Sequence, residues 1–270
     1  MKKIFPPYFS IRVLLLVLSC AYSGVAIEAQ SSTKFTKLIW SDEFNYEGLP
    51  DSTKWSFEVG VVRNKEPQYY TNKRLENCQV KNGFLTITAK KEKFEDSSYT
   101  SASIHTQGKG EFKYGRMEMR AKMPKGIGSW PAFWMLGKEH GAVKWPDCGE
   151  IDIVEYVGKD SNQVYGTVHY ADDKGKYHMK GIKPKLGDPS DGFHIYAVEW
   201  DENSIKWYYD SIMFFHFDYK DVDNYSKSIL QNKYYLLVNL ALGRKGTLGG
   251  PLQDRILPLT YDIDYVRVYQ

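Results

Sequence analysis

Three acidic residues crowd one short segment, Gly149-Glu150-Ile151-Asp152-Ile153-Val154-Glu155-Tyr156-Val157. The Ile, Val and Tyr around them favour an extended strand. Side chains on a strand alternate between its two faces, so Glu150 and Asp152 share one. Glu155 would point away from them on a regular strand. One extra residue near Ile153-Val154, a β-bulge, returns it to their face. At about 3.3 Å per residue the two glutamate backbones then lie roughly 13–15 Å apart. Side chains leaning inward bring the carboxyls toward the ~5–5.5 Å separation of a double displacement at an acetal carbon, where one carboxylate attacks and the other donates a proton. A wider gap would admit a water and imply a single displacement. The alternative is a solvated acidic strand face, but three acids among Ile and Val are costly to bury without a use.

Trp130 and Trp134 lie four apart beside Pro131. Flat indole faces suit the apolar faces of sugar rings; the alternative is two core aromatics.

The elements that must hold these residues read as strands. Leu85, Ile87 and Ala89 alternate with Thr86 and Thr88, and Met117, Met119, Ala121 and Met123 alternate with Glu118, Arg120 and Lys122. Residues 195–200 and 205–209 flank Asp201-Glu202-Asn203-Ser204, a hairpin signal. Residues 234–240 are apolar enough for a central strand, and 261–269 supply a closing one. No segment sustains a helical apolar period over several turns. The expectation is an all-β domain of two packed antiparallel sheets. No linker, charge block or repeat interrupts 34–270, so these residues read as one domain.

Residues 1–29 read as a targeting segment. Lys2, Lys3 and Arg12 precede a short apolar run, too short to span a bilayer, and small residues follow. Two processing routes are open: lipidation of Cys20 in Val17-Leu18-Ser19-Cys20, which resembles a bacterial lipoprotein box, or cleavage further on, near Ala29. Export to the periplasm, the medium or a lipid-anchored place at the cell surface follows from either. Removal of Lys2, Lys3, Arg12 and Glu28 takes the net charge from +3 to +1. A near-neutral protein has no electrostatic reason to bind nucleic acid, and little to bind a strongly acidic polymer. Beyond Cys20 only Cys78 and Cys148 remain. In an exported protein they either pair or stay as buried free thiols.

From about Leu38 to Gln270 the chain resembles glycoside hydrolase family 16, in its laminarinase-like branch. The likeness is carried by Ile39-Trp40-Ser41-Asp42-Glu43-Phe44, Gln68-Tyr69-Tyr70-Thr71, Tyr114-Gly115-Arg116, Trp130-Pro131-Ala132-Phe133-Trp134, Trp145-Pro146 with the acidic segment, Gly166-Thr167-Val168-His169, Asn239-Leu240-Ala241 and Asp264-Tyr265-Val266-Arg267, in family order. The resemblance implies a β-jelly-roll with a concave substrate cleft, and retaining hydrolysis of a β-glucan by a monomer. It implies Glu150 as nucleophile, Asp152 as its electrostatic helper and Glu155 as acid/base. The extra residue, Val154, speaks against lichenases and plant xyloglucan transferases, whose motif is one residue shorter. Trp130 and Trp134 match donor-subsite residues, His169 a residue near the acid/base, and Asn72 and Arg116 positions near the cleft. Glu43, Gly83 and Asp264 match the positions of a structural calcium found in many members; the chemistry itself requires no cofactor. Gly243-Arg244 departs from a glycine pair common in the family and bears on subsite detail.

The substrate implied is β-1,3-glucan or mixed-linkage β-1,3-1,4-glucan. The rivals are an agarose- or carrageenan-type galactan, a transglycosylase that replaces water with a sugar acceptor, and a non-catalytic glucan-binding protein. The last would be expected to lose a carboxylate, and all three are present. If Cys20 is the lipid attachment point, Cys20→Ala moves the protein from the membrane fraction to the soluble one. Unchanged fractionation would reject the anchor and leave export standing.

Overall fold

The structure, a computed structural model, describes residues 33–270. The targeting segment read over 1–29, with Cys20, lies outside the described residues. The strands are β1 (Leu38–Asp42), β2 (Ser56–Phe57), β3 (Gln68–Tyr70), β4 (Cys78–Lys81), β5 (Phe84–Phe94), β6 (Ser97–Ser101), β7 (Ser103–His105), β8 (Glu111–Phe112), β9 (Gly115–Lys122), β10 (Ser129–Gly137), β11 (Glu150–Glu155), β12 (Tyr165–Ala171), β13 (Tyr177–Ile182), β14 (His194–Trp200), β15 (Ser204–Tyr209), β16 (Ile212–Asp218), β17 (Tyr234–Leu242) and β18 (Leu259–Tyr269). One sheet has the order β16-β15-β14-β9-β18-β5-β6-β3, with β1 also on β18 and β4 also on β5. The other runs β13-β12-β11-β10-β17-β7-β2, with β8 also on β17. All pairs are antiparallel except β3 with β6, which is parallel. Pairing between distant segments, such as β9 with β18 and β10 with β17, closes the chain into a jelly-roll sandwich.

The alternation read from the sequence settles which face meets the core. Met117, Met119 and Ala121 of β9 and Leu85, Ile87 and Ala89 of β5 pack from one sheet. Phe133 and Met135 of β10, with Leu236, Val238 and Leu240 of β17, pack from the other. Every residue of β10 and of β17 is buried, as expected of central strands. Among the described residues the one α-helix, α1 (Asn224–Leu230), is capped by Asp223, whose carboxylate accepts from the Tyr225 and Ser226 amides. Asn82 and Gly83, both at positive φ, make the two-residue turn between β4 and β5. Cys78 and Cys148 are buried free thiols, the second of the two states left open by the sequence.

The irregularity that matters lies in β11. β10 holds an unbroken register with β17 from Ser129↔Leu242 to Gly137↔Tyr234. Against the same β10, β11 slips between Phe133↔Val154 and Trp134↔Asp152. Against β12 it slips between Asp152↔Thr167 and Glu155↔Tyr165. The extra residue therefore belongs to β11 itself, at Ile153-Val154. Both of those side chains are buried in the inter-sheet core, together with Ile151. Apolar side chains at two consecutive positions on one face are what a bulge permits and a regular strand forbids. Deleting Val154 should restore the alternation and turn Glu155 toward the core. Hydrolysis of β-1,3-glucan should then fall by two or more orders of magnitude. A deletion variant with near-normal turnover would show that the bulge is dispensable.

Candidate active site

Outward-facing side chains of the β11 sheet form the floor of a cleft of about 790 Å³. Glu150, Asp152 and Glu155 lie along that floor, with Trp130, Trp134 and Leu136 of β10 on one side and Thr167 and His169 of β12 on the other. Gly149 enters β11 at positive φ, and a Cβ there would come within 2.0 Å of the Tyr234 hydroxyl. Only glycine lets the chain turn into the strand at this point.

Each carboxylate has its own partner. Trp145 Nε1 donates to Glu150 Oε2 at 2.7 Å. Trp130 Nε1 donates to Glu155 Oε1 at 2.9 Å. His169 Nε2 lies 2.9 Å from Asp152 Oδ2, and its Nδ1 lies 2.8 Å from the Tyr177 hydroxyl. From the opposite sheet, Trp207 Nε1 crosses the core and donates to the Asp152 carbonyl at 2.7 Å. Asp152 is only 3% exposed, whereas Glu150 and Glu155 remain partly open to the cleft.

Crowding and burial raise the proton affinity of all three. Burial, then the nearby Asp152 charge, pushes the Glu150 carboxyl up to about 8. Burial pushes Glu155 up to about 7, against the Trp130 N–H, which favours its ionised form. Burial and the Glu155 charge hold Asp152 well above the usual carboxylate range. Near neutral pH the three therefore share protons rather than ionise together, as an acid and a nucleophile side by side require.

The other residues singled out from the sequence divide. Trp130, Trp134 and His169 reach the cleft. Asn72 does not: it is exposed on the turn after β3 and is absent from the cleft lining, where Asn64 appears instead. Arg116 belongs to β9, in the other sheet, and pairs there with Glu118 at 2.8 Å and Glu199 at 3.1 Å. Arg244 lies in the turn beyond β17, its amide bonded to Thr247 Oγ1.

The positions matched to calcium do not present a free oxygen cage. Both Glu43 carboxylate oxygens accept from Arg267, and Asp264 pairs with Arg120. A calcium there would have to share both acids with these arginines, and Gly83 could offer only its main-chain oxygen. Among the described residues, the acidic and histidine side chains close enough to hold an ion are Glu150, Asp152 and His169, with ligand atoms within 4.8 Å. These line the floor of the cleft itself, so an ion there would occupy the substrate's place.

Three contributors went unassigned in the sequence reading. Trp145 is 45% exposed and sits 5.0 Å, centroid to centroid, from Tyr177, so these two present the open aromatic surface of the cleft. A Trp-Pro pair just upstream of Glu150 was the available signal. Tyr177 could have been found from Tyr177-His178-Met179, an alternating strand. Arg63 had no local signal. Its guanidinium lies 4.9 Å from the Trp134 ring centroid and pairs with Glu58.

Residues 65–241 match the family model of glycosyl hydrolases family 16. A beta-glucanase of Rhodothermus marinus is 37% identical over 272 residues, spanning 96% of this chain and 93% of that protein. The solved structure of the laminarinase from Rhodothermus marinus superposes with a TM-score of 0.80 at 40% identity, covering 87% of this chain and 97% of that one. A LamA structure from Z. galactanivorans, in complex with laminaritriose and laminaritetraose, gives a TM-score of 0.79 at 37% identity, over 87% and 100% of the two chains.

The raised glutamate has a measurable consequence for stability. With its folded value near 8 against about 4.5 when free, Glu150 binds more protons in the folded state between those limits. Stability therefore falls as pH rises through that window. Glu150→Gln cannot ionise and should escape the loss. Its melting temperature should exceed that of the wild type by a few °C above pH 8, with the gap closing toward pH 4.5. Parallel melting curves across this range would contradict the burial argument.

Proposed function

The chain belongs to glycosyl hydrolases family 16, and on that premise we propose that it is a retaining endo-β-glucanase that cleaves internal β-1,3 linkages. Mixed-linkage β-1,3-1,4-glucan is the second substrate of the same chemistry. The observation that carries the reading is the convergence of Glu150, Asp152 and Glu155 on the floor of an open aromatic cleft, each with a separate hydrogen-bond partner. A binding protein would need the aromatic surface but not three carboxyls with raised proton affinity.

In this reading Glu150 attacks the anomeric carbon from the face opposite the leaving group, and a C–O ester bond forms as the glycosidic bond breaks. Glu155 passes its proton to the departing oxygen. Water then attacks the same anomeric carbon, Glu155 takes a proton from it, and the Glu150 carboxylate leaves; two inversions retain the β configuration. Burial raises the proton affinity of Glu150 as it does that of Glu155. Positive charge developing at the anomeric carbon favours the ionised form of Glu150 beneath it. The Trp145 N–H supports that form with a direct hydrogen bond. Asp152, held by His169 and poised between the two glutamates, is the group through which a proton can be shared.

The proposal places the domain outside the cytoplasm, working as a monomer, with Cys20 as a lipid attachment point on one of the two processing routes. It requires no cofactor for the chemistry, and a calcium at Glu43, Gly83 and Asp264 would serve structure alone.

The test is product analysis after incubation with laminarin, barley β-glucan, lichenan and agarose. Short oligosaccharides from the β-1,3-containing polymers are expected; activity on agarose alone would overturn the assignment. The roles of the glutamates separate with azide. Glu150→Gly should lose hydrolysis by about 10³-fold or more and form an α-glycosyl azide from an activated β-glycoside. Glu155→Gly should give the β-glycosyl azide, and Asp152→Asn should be impaired without adopting either pattern. The opposite anomers by NMR would exchange the two roles.

A further inference from the structure

Indoles beside a sugar cleft invite a stacking role, and Trp130 does not fit one. Only 8% of it is exposed. Its ring packs with Val157 and Ala241, and Tyr165 and Leu248 close over them. Its Cβ and one ring carbon lie so close to Gly249 that a methyl group there would meet both at 3.2 Å. What Trp130 does present is its N–H, 2.9 Å from Glu155 Oε1. The strand pairing fixes that geometry: Ala132 lies opposite Glu155 across the β10–β11 ladder, and Trp130 is two residues along the same face.

We propose that Trp130 is a positioning residue for the acid/base, its boxed indole N–H fixing the Glu155 carboxyl and stabilising its ionised form, and not a platform for sugar stacking. The inference rests on the role given to Glu155 above. The other titratable groups facing Glu155 are Glu150 and Asp152 on its own strand, Tyr165 and His169 on β12, and Glu66 from the segment before β3. Glu150, Asp152 and Glu66 oppose its ionisation when they are charged, the uncharged Tyr165 phenol does not, and His169, when protonated, joins the Trp130 N–H in favouring it. Loss of the N–H leaves Glu155 with a tighter hold on its proton. Proton donation to the leaving group becomes harder, and the pH at which Glu155 deprotonates moves up.

The test is Trp130→Phe, which keeps the aromatic volume and removes the donor. The alkaline limb of kcat/KM against pH should move up by about half to one unit. kcat on laminari-oligosaccharides should fall about tenfold or more. An aryl β-glycoside whose leaving group needs no proton should lose less than threefold, with KM within twofold throughout. A superimposable pH profile would overturn the proposal, as would a tenfold rise in KM with kcat kept, the mark of a lost stacking surface. A second measurement needs neither substrate nor the variant. In the wild type the Trp130 indole Nε1–H resonance, assigned through its contacts with Leu248, should titrate with pH, and Glu155→Gln should abolish that titration. A resonance indifferent to pH would equally reject the hydrogen bond. Hydrolysis of laminarin by the wild type is measured first, so failure of the functional reading and failure of this inference are told apart.

Discussion

The site depends on one constraint: a strand in the interior of a sheet must send three acids to one face without withdrawing its apolar side chains from the other. Strict alternation cannot satisfy both over Glu150, Asp152 and Glu155. The bulge at Ile153-Val154 resolves the conflict by burying two consecutive apolar residues in the core, and the slip shows against both neighbours of β11. The neighbours stay regular on their far sides, β10 against β17 and β12 against β13, so the distortion is contained within one strand. Trp207, reaching across from the opposite sheet to the Asp152 carbonyl, anchors the strand just where its register changes. Core packing and catalytic geometry are therefore one structural decision.

Containment also explains the electrostatics. A strand covered by a second sheet places its outer carboxyls on a floor that protein surrounds from below and from the sides. Desolvation is the largest influence on all three. Yet the fold does not leave them bare. Two indoles and an imidazole supply one contact each, and the two indoles come from different elements, the loop before β11 and the central strand β10. An indole N–H is a neutral donor. It can favour a carboxylate without adding a charge that would clamp it permanently in the ionised state. A lysine or arginine in the same place would fix the protonation that the chemistry has to change.

Much of this was legible in the sequence because it is local. The period-two patterns of β5 and β9, the apolar run of β17 and the acidic strand with its extra residue are properties of contiguous residues, and backbone geometry converts the alternating ones directly into faces. Arg116 and Asn72 show where locality ends. Arg116 was placed near the cleft by resemblance, but β9 lies in the other sheet, where two glutamates engage it. Asn72 sits beyond the end of β3, on a turn whose direction no periodicity fixes. Conversely, Trp145 and Arg63 arrive at the cleft on loops, and a loop's path is set by what it packs on rather than by its own pattern.

Arg63 shows how such a loop residue becomes part of the site. Its guanidinium covers one face of Trp134, while the Trp134 N–H is taken by Asn239 Oδ1 at 2.7 Å. The Asn239 amide in turn donates to the Tyr70 hydroxyl, which donates to Glu66. Trp134, 6% exposed, is thus locked by a cation on one side and a hydrogen-bond chain behind it, and little of its ring is left for a sugar. The open aromatic surface is instead that of Trp145 and Tyr177, beside the glutamate proposed as nucleophile. The two tryptophans that the sequence offers most plainly as sugar platforms are therefore the framework of the cleft, and the aromatic that meets solvent is the one carried by a loop. In a sandwich whose central strands are buried on both faces, this division follows from the architecture: side chains on β10 are close enough to the carboxylates to orient them, and for the same reason too enclosed to be the surface on which a polymer first lands.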